Sequence, residues 1–282
     1  MPAAQTSTLI LGGHGQIGSA LTQRLRAQGQ SVLRATRRPG GDSDDVAVDL
    51  ASGTGLDAAF ARARRAFLLC PPGYAQQHQL LSPAIEAATR HGLEHVVLMT
   101  AMGANADPSA PLRQAELQLE RSGLNYTLLR PNWFMQNFET FWLAGIRAAG
   151  LIALPVGDAK GSFIDVRDIA AVAAAVLGHP THYGRAYELT GSEALDHAEV
   201  AAILSRVSGR AIRFQDVPPE ALRPHLLDAG LPAEYADFLL QILGFFKLGY
   251  SAAISPSVQD ILGRAPIRFE DYAQEQRAAW AA

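Results

Sequence analysis

Residues 9–29, LILGGHGQIGSALTQRLRAQG, constrain this chain more than any other stretch. The apolar run Leu9-Ile10-Leu11 leads into glycines at 12, 15 and 18, and Ile17, Leu21 and Leu25 follow at helical spacing. Strand, tight turn and helix in that order hold the pyrophosphate of a dinucleotide. The first glycine permits the turn, the second lets phosphate approach the backbone, the third lets helix pack on strand, and the helix N-terminus meets the negative charge. Gly13, Gly15 and Gly18 give the same motif in a shifted register. An ordinary glycine turn is the alternative; the strand before and the amphipathic helix after favour the nucleotide. His14, inside the turn, either reaches a phosphate or is structural.

Strand and helix patterns then alternate. Strands are read at 31–36, 46–49, 66–70, 95–100 and 126–130, with helices at 56–65, 76–91 and 112–122 between them. Short apolar strands in repeating βα units imply a parallel sheet covered on both faces, and right-handed crossovers make it doubly wound. After about residue 150 the pattern loosens: a helix at 169–177 capped by Asp165 or Asp168, strands at 184–191 and 211–217, and helices at 196–208, 218–229, 232–248 and 269–280. The expected fold class is therefore α/β, a doubly wound parallel sheet with a smaller C-terminal lobe. Residues 1–150 form the nucleotide domain, joined by 163–190; residues 191–282, with 151–162, form a mainly helical lobe over the C-terminal edge of the sheet, where ligands of such sheets bind.

Apolar residues make up 48% of the 282, enough for a substantial core, and the net charge of -3 gives no electrostatic reason to bind nucleic acid. The single cysteine, Cys70, permits no internal disulfide and points to a reducing compartment. The first eight residues lack a leader pattern, and the most apolar helix, 169–177, is too short to span a bilayer. The expectation is a cytoplasmic protein acting on a small molecule, without nucleic acid or membrane, as monomer or homodimer. Its eight histidines show no metal-ligand spacing, so no metal is expected.

The residue after the second strand selects the nucleotide. An acid there would bond the ribose 2′-hydroxyl of NAD; this chain has Arg37-Arg38, whose guanidinium forks suit a 2′-phosphate. NADP(H) is favoured over NAD(H), with a solvated basic turn as the alternative. Asp49-Leu50 stands where such folds line the adenine, unless Asp49 only caps the next turn.

Several stretches together resemble the NmrA-like, atypical branch of the short-chain dehydrogenase/reductase superfamily. They are GGHGQIG (12–18), the arginine after strand two, FLLCPP (67–72), HVVLMTAMGA (95–104), LERSGLNYTLLRPNWFMQNF (119–138) and FIDVRDIAAVAAAVL (163–177). The resemblance covers most of residues 8–190 and implies a Rossmann domain, a small C-terminal α/β lobe and a cleft between them. It implies that Gly12, Gly15, Gln16, Ile17 and Gly18 hold the pyrophosphate and that Arg37 takes the 2′-phosphate. It further implies that Cys70 and Pro71 border the nicotinamide ribose, that Thr100 and Ala101 lie under the nicotinamide, and that Pro131, Asn132 and Trp133 lie beside it.

The chain departs from the superfamily's ketone reductases in one respect. Their Tyr-x-x-x-Lys pair donates a proton to the developing alkoxide. Ser109 and Arg113 stand at the corresponding places here. Arg113 is either a cofactor or catalytic contact, or a residue at a helix start paired with Glu116. Without a strong general acid the acceptor must take hydride readily, as a quinone, an activated enone or an imine does. Trp133, Phe134, Phe138, Phe141 and Trp142 are read on one helix after strand six, where 134, 138, 141 and 142 share a side. They are core, or a wall for a flat substrate, with Asn132 and Asn137 as polar handles. The apolar segment 234–250 is core, lid or dimer face, and Tyr74 and His78, after strand four, either face the cleft or are structural. The main expectation is an NADPH-dependent reductase; the alternative is an NADP(H)-sensing regulator of a partner protein.

Overall fold

The apolar run that opens the chain is strand β1 (Ser7–Leu11), whose Leu9, Ile10 and Leu11 are all fully buried. Burial on both faces is what a central parallel strand requires. The structure, a computed structural model, describes residues 7–281. The N-terminal stretch in which a leader pattern was sought lies, up to residue 6, outside the described residues.

The chain divides into two compact units. One runs through Pro131 and takes in Val166–Glu188; the other comprises Asn132–Asp165 and the chain from Leu189 onward. The expected boundary near 150 thus falls at 131. Beyond Pro131 the backbone pairs inside the second unit: Met135 N–H donates to Ile164 O and Ile164 N–H to Trp133 O, both at 2.9 Å. Residues 132–150 follow that pairing.

The first unit continues with α1 (Gln16–Ala27), β2 (Ser31–Thr36), β3 (Asp45–Ala47), α2 (Leu56–Phe60), β4 (Arg65–Leu69), α3 (Gln77–Arg90), β5 (His95–Met99), α4 (Pro111–Glu120) and β6 (Tyr126–Pro131). After an excursion through α5 (Leu143–Ala149) and β7 (Leu151–Leu154), α6 (Val166–Val176) and most of β8 (Arg185–Leu189) return to it. The sheet has seven strands in the order β3-β2-β1-β4-β5-β6-β8, and the first six are parallel. Leu9, Leu11, Ala66, Leu68, Val96 and Leu98 pack with residues of α2, α3 and α4. Alternation along the strands sends Ile10, Phe67 and Val97 to the opposite face. The alanines of α6 allow it to lie against α1.

The second unit contains α5 and β7, then α7 (His197–Ser208), β9 (Arg213–Asp216), α8 (Pro219–Asp228), α9 (Ala233–Lys247), α10 (Ser257–Leu262) and α11 (Phe269–Glu275). β7 pairs with β9 in parallel. Helix α7 starts at a capping box, Asp196 and Glu199 each accepting the other's backbone N–H at 2.8 and 2.9 Å. The core gathers Phe138, Phe163, Phe246, Phe269, Tyr272 and Trp280. Three elements, α5, β7 and α10, were not expected from the sequence. The stretch read as a helix over 269–280 is α11 followed by a 3-10 turn at Arg277–Ala279, because Trp280 turns inward and donates its indole N–H to Phe138 O at 2.8 Å. No helix among the described residues is long and apolar enough to cross a membrane.

Candidate nucleotide and active site

The strand order reverses at β1, which lies between β2 and β4. The crevice outside the C-terminal ends of strands at such a reversal is where open α/β sheets bind ligands. The glycine turn fills that position. Gly12 has φ +67, and Gly15 N–H donates to Gly12 O at 2.8 Å. A Cβ on Gly18 would come 2.1 Å from Gly12 O and 2.8 Å from Gly13 Cα, so helix and turn meet backbone to backbone. A Cβ on Gly13 would strike Arg34 Cβ at 2.5 Å, so the shifted register also carries a requirement for glycine. Helix α1 begins with no side-chain cap at Gly15 and no acid in its first turn. Its first amides, including those of Gln16 and Ile17, keep their donors and partial positive charge for an anion. These features fit a dinucleotide pyrophosphate.

Arg37 and Arg38 follow β2, both exposed, and among the described residues neither has an ion-pair partner. The nearby acids are occupied by other cations. Arg26 pairs with Asp42 and Asp44, and Arg34 with Asp42 at 2.6 Å and Asp45 at 2.7 Å. His14, expected either at a phosphate or as structural, has Nε2 2.9 Å from Asp45 Oδ1. Asp49 caps the turn after it, accepting from Ala51 N–H at 3.0 Å and Ser52 Oγ–H at 3.1 Å, while Leu50 packs against the core.

Cys70 and Pro71 follow β4, partly buried, and burial pushes the Cys70 thiol up to about 12, which removes it as a nucleophile. His78 bonds Gln118 Oε1 at 3.0 Å. Thr100 and Ala101 follow β5. Thr100 is buried and its hydroxyl donates to Glu116 Oε1 at 2.7 Å. Glu116 on α4 is fully buried and also accepts from Arg130 Nε at 2.9 Å and Nη2 at 2.8 Å, at the end of β6. Arg113 donates to Glu116 Oε2 at 2.8 Å and to Glu120 Oε1 at 2.7 Å. Of the two readings of Arg113, the structure forms the ion pair. Burial raises the Glu116 carboxyl, but the bonds from Arg130, Thr100 and Arg113 outweigh it and hold the group below its usual range. Ser109 is exposed and donates to Asp107 Oδ1 at 2.7 Å. Pro131 ends β6, buried.

In the second unit, Asn132 is buried with its amide committed: Nδ2 donates to Ser162 Oγ at 2.7 Å and Ser251 O at 2.8 Å, and Oδ1 accepts Trp133 N–H at 2.9 Å. The expected single helix over 133–142 does not form. Phe134 is extended and bridges Ile164, Met135–Glu139 is a 3-10 turn, and Thr140, at φ -130 and ψ -83, breaks the chain before α5. Asn137 O accepts from both Thr140 and Trp142 N–H and closes that turn. The aromatics therefore separate. Phe138 is fully buried, Phe141 is 47% exposed, and Trp133 and Trp142 stack with centroids 6.0 Å apart, partly exposed, as are Phe134 and Asn137.

Sequence reasoning did not single out Arg130 or Asp45. Both act through partners on other elements, Arg130 through Glu116 of the preceding helix α4 and Asp45 through His14 of the glycine turn. Among the described residues no three His, Cys, Asp or Glu side chains group to hold a metal.

Residues 5–272 match the model of the NmrA-like family. An NAD(P)H azoreductase of Xenophilus azovorans is 32% identical over 97% of this chain and 99% of its own. A (4-alkanoyl-5-oxo-2,5-dihydrofuran-3-yl)methyl phosphate reductase of Streptomyces griseus is 33% identical over 97% and 99%. The crystal structure of an NADPH-dependent quinone oxidoreductase from Escherichia coli, complexed with NADPH, shares the fold at a TM-score of 0.81, with 22% identity over 95% of this chain and 99% of that one.

Proposed function

The chain belongs to the NmrA-like family, and on that basis we propose that this NAD(P)H-dependent oxidoreductase of the atypical short-chain type uses NADPH to reduce a flat, electron-poor small molecule without a protein-derived proton. The observation that carries the proposal is the Glu116 network. Thr100 and Arg113 are the candidate donors at this end of β5 and α4, and both are turned onto one buried carboxylate. Thr100 has a single hydroxyl proton, and it is donated in the hydrogen bond to Glu116. Arg113 is held by two glutamates. Glu116 itself is ionised and has no proton to give. An acceptor that needs its oxygen protonated as hydride arrives gains nothing from this arrangement. A quinone, an activated enone or an imine that arrives as its iminium ion does not need it. The names of the relatives fit: an azo compound, an unsaturated lactone and a quinone are acceptors of that kind.

In this reading Gly12, Gly15, Gln16, Ile17 and Gly18 bind the pyrophosphate, and Arg37 and Arg38 take the 2′-phosphate, their charges not neutralised by the neighbouring acids. Cys70, Pro71, Thr100 and Ala101 border the nicotinamide end. Bound NADPH supplies the hydride. Trp133, Phe134 and Asn137 are candidates for contact with the acceptor, the partly exposed rings offering stacking surface. Binding geometry supplies most of the rate gain. The test is NADPH oxidation followed by absorbance with a panel of quinones, enones, azo compounds and cyclic imines, beside simple ketones. Turnover confined to the electron-poor acceptors is expected. NADPH binding without turnover of any of them contradicts the proposal.

A further inference from the structure

One carboxylate ties together three parts of the nucleotide-facing edge. Asp45 opens β3, opposite Arg34 of β2 in the parallel register, and its side chain is 1% exposed. Oδ1 meets His14 Nε2 at 2.9 Å, from the glycine turn, and Arg34 Nη2 at 2.7 Å, from β2. Oδ2 accepts the backbone N–H of Gly40 at 3.1 Å, from the loop that carries Arg37 and Arg38. The other end of that loop is held by Thr36, whose Oγ1 accepts Arg38 N–H at 3.3 Å. Burial raises the Asp45 carboxyl, but the Gly40 amide, His14 and Arg34 together hold it below its usual range, so the clamp is charged at neutral pH.

We propose that Asp45 is a positioning residue for nucleotide selectivity: by fixing Gly40 and His14 it holds the Arg37–Gly40 loop where two unpaired guanidiniums meet the adenosine 2′-phosphate. The inference rests on the reading that Arg37 and Arg38 take that phosphate. It has a sign that charge alone does not give. Removing an acid near a dianion strengthens binding by Coulomb attraction. Removing a clamp weakens it, because the loop must then be ordered when the ligand binds.

Isothermal titration of 2′,5′-ADP and of 5′-AMP, which lacks the 2′-phosphate, separates these effects. Asp45→Asn keeps an acceptor for Gly40 but loses the charge that holds Arg34 and His14. Affinity for 2′,5′-ADP is expected to fall roughly tenfold, on the scale of one charge-assisted hydrogen bond, with a much smaller change for 5′-AMP. In an Arg37→Ala/Arg38→Ala background Asp45→Asn should cost nothing further. Tighter or unchanged 2′,5′-ADP binding, an equal loss for both ligands, or a loss that persists without the arginines overturns the proposal. If the arginine double variant alone leaves 2′,5′-ADP binding intact, the 2′-phosphate reading itself fails; if only Asp45→Asn is silent, that reading stands and the clamp fails. Should Asp45→Asn not fold, Gly40→Pro deletes the clamped amide and leaves both ion pairs, and the same selective loss is expected.

Discussion

The hydroxyl of Thr100 donates to Oε1 of the fully buried Glu116 at 2.7 Å, and the same oxygen receives Arg130 Nε at 2.9 Å. A side chain at the end of a central strand thus has its proton directed toward helix α4. Thr100→Val should therefore leave the solvent deuterium isotope effect on quinone turnover as it is in the parent, while lowering stability by about 1–2 kcal/mol through the lost bond to a charged acceptor. Thr100→Ser should restore the stability. An isotope effect that disappears in the valine variant and returns with serine would show that Thr100 delivers a proton after all.

Glu116 and Arg113 should differ sharply in their cost. Glu116→Gln leaves Arg130, itself buried, without its countercharge, and a broken buried pair costs about 3–5 kcal/mol. Arg113→Ala removes a partly exposed partner while Glu116 keeps Arg130 and Thr100, and about 1 kcal/mol is expected. Urea unfolding of the two variants measures the difference; equal costs would mean that Arg130 does not carry the network.

Gly18→Ala should cost more than an ordinary helical glycine substitution. Its Cβ meets Gly12 O at 2.1 Å, a backbone atom that cannot swing aside. The helix must back away from the turn, and the expected result is a loss of about 1–3 kcal/mol, the range for overpacking, together with weakened NADPH binding seen by fluorescence titration. Gly29→Ala, at φ +73 with open space around it, should lose stability through strain alone and keep NADPH affinity.

Two buried histidines should make the fold acid-sensitive. Burial lowers His95 from 6.5 to about 4; Gly178 N–H donates to its Nδ1, so Nε2 carries the proton toward Thr127. Burial likewise lowers His197 to about 4, ringed by Phe138, Trp142, Phe163, Phe214 and Phe246 with neither ring nitrogen bonded among the described residues. In both cases the native state binds fewer protons than the unfolded chain. The stabilisation is full above about pH 6.5 and is lost as pH falls through 4, at about 3 kcal/mol per histidine. His197→Leu removes one of these losses, so its stability relative to the parent should be about 2 kcal/mol better at pH 5 than at pH 8. A pH-independent difference would contradict the assignment.

Much of the first unit was legible in the sequence because its signals are local. The glycine turn, the apolar strands and the glycines that stop helices each act within a few residues. The aromatic segment 133–142 was misread because its periodicity is helical while its backbone is not. Pairing of Trp133 and Phe134 with Ile164, a contact thirty residues away, outweighs local propensity. The tail 269–280 bent for a similar reason, the burial of Trp280. At the site, Arg113–Glu116 was visible as an i, i+3 pair, but Arg130 and Asp45 needed the sheet to bring them to their partners.

The proposed reaction is hydride delivery from NADPH to an electron-poor acceptor without a protein proton donor. A single turnover of enzyme preloaded with NADPH deuterated at the transferring position, mixed with a quinone, tests it most directly. Full loss of NADPH absorbance in one turnover is expected, with a primary isotope effect and a rate that does not fall when Arg113 is replaced by Met. Bound NADPH that stays reduced in the presence of every electron-poor acceptor, or oxidation that stops with Arg113→Met, would contradict it.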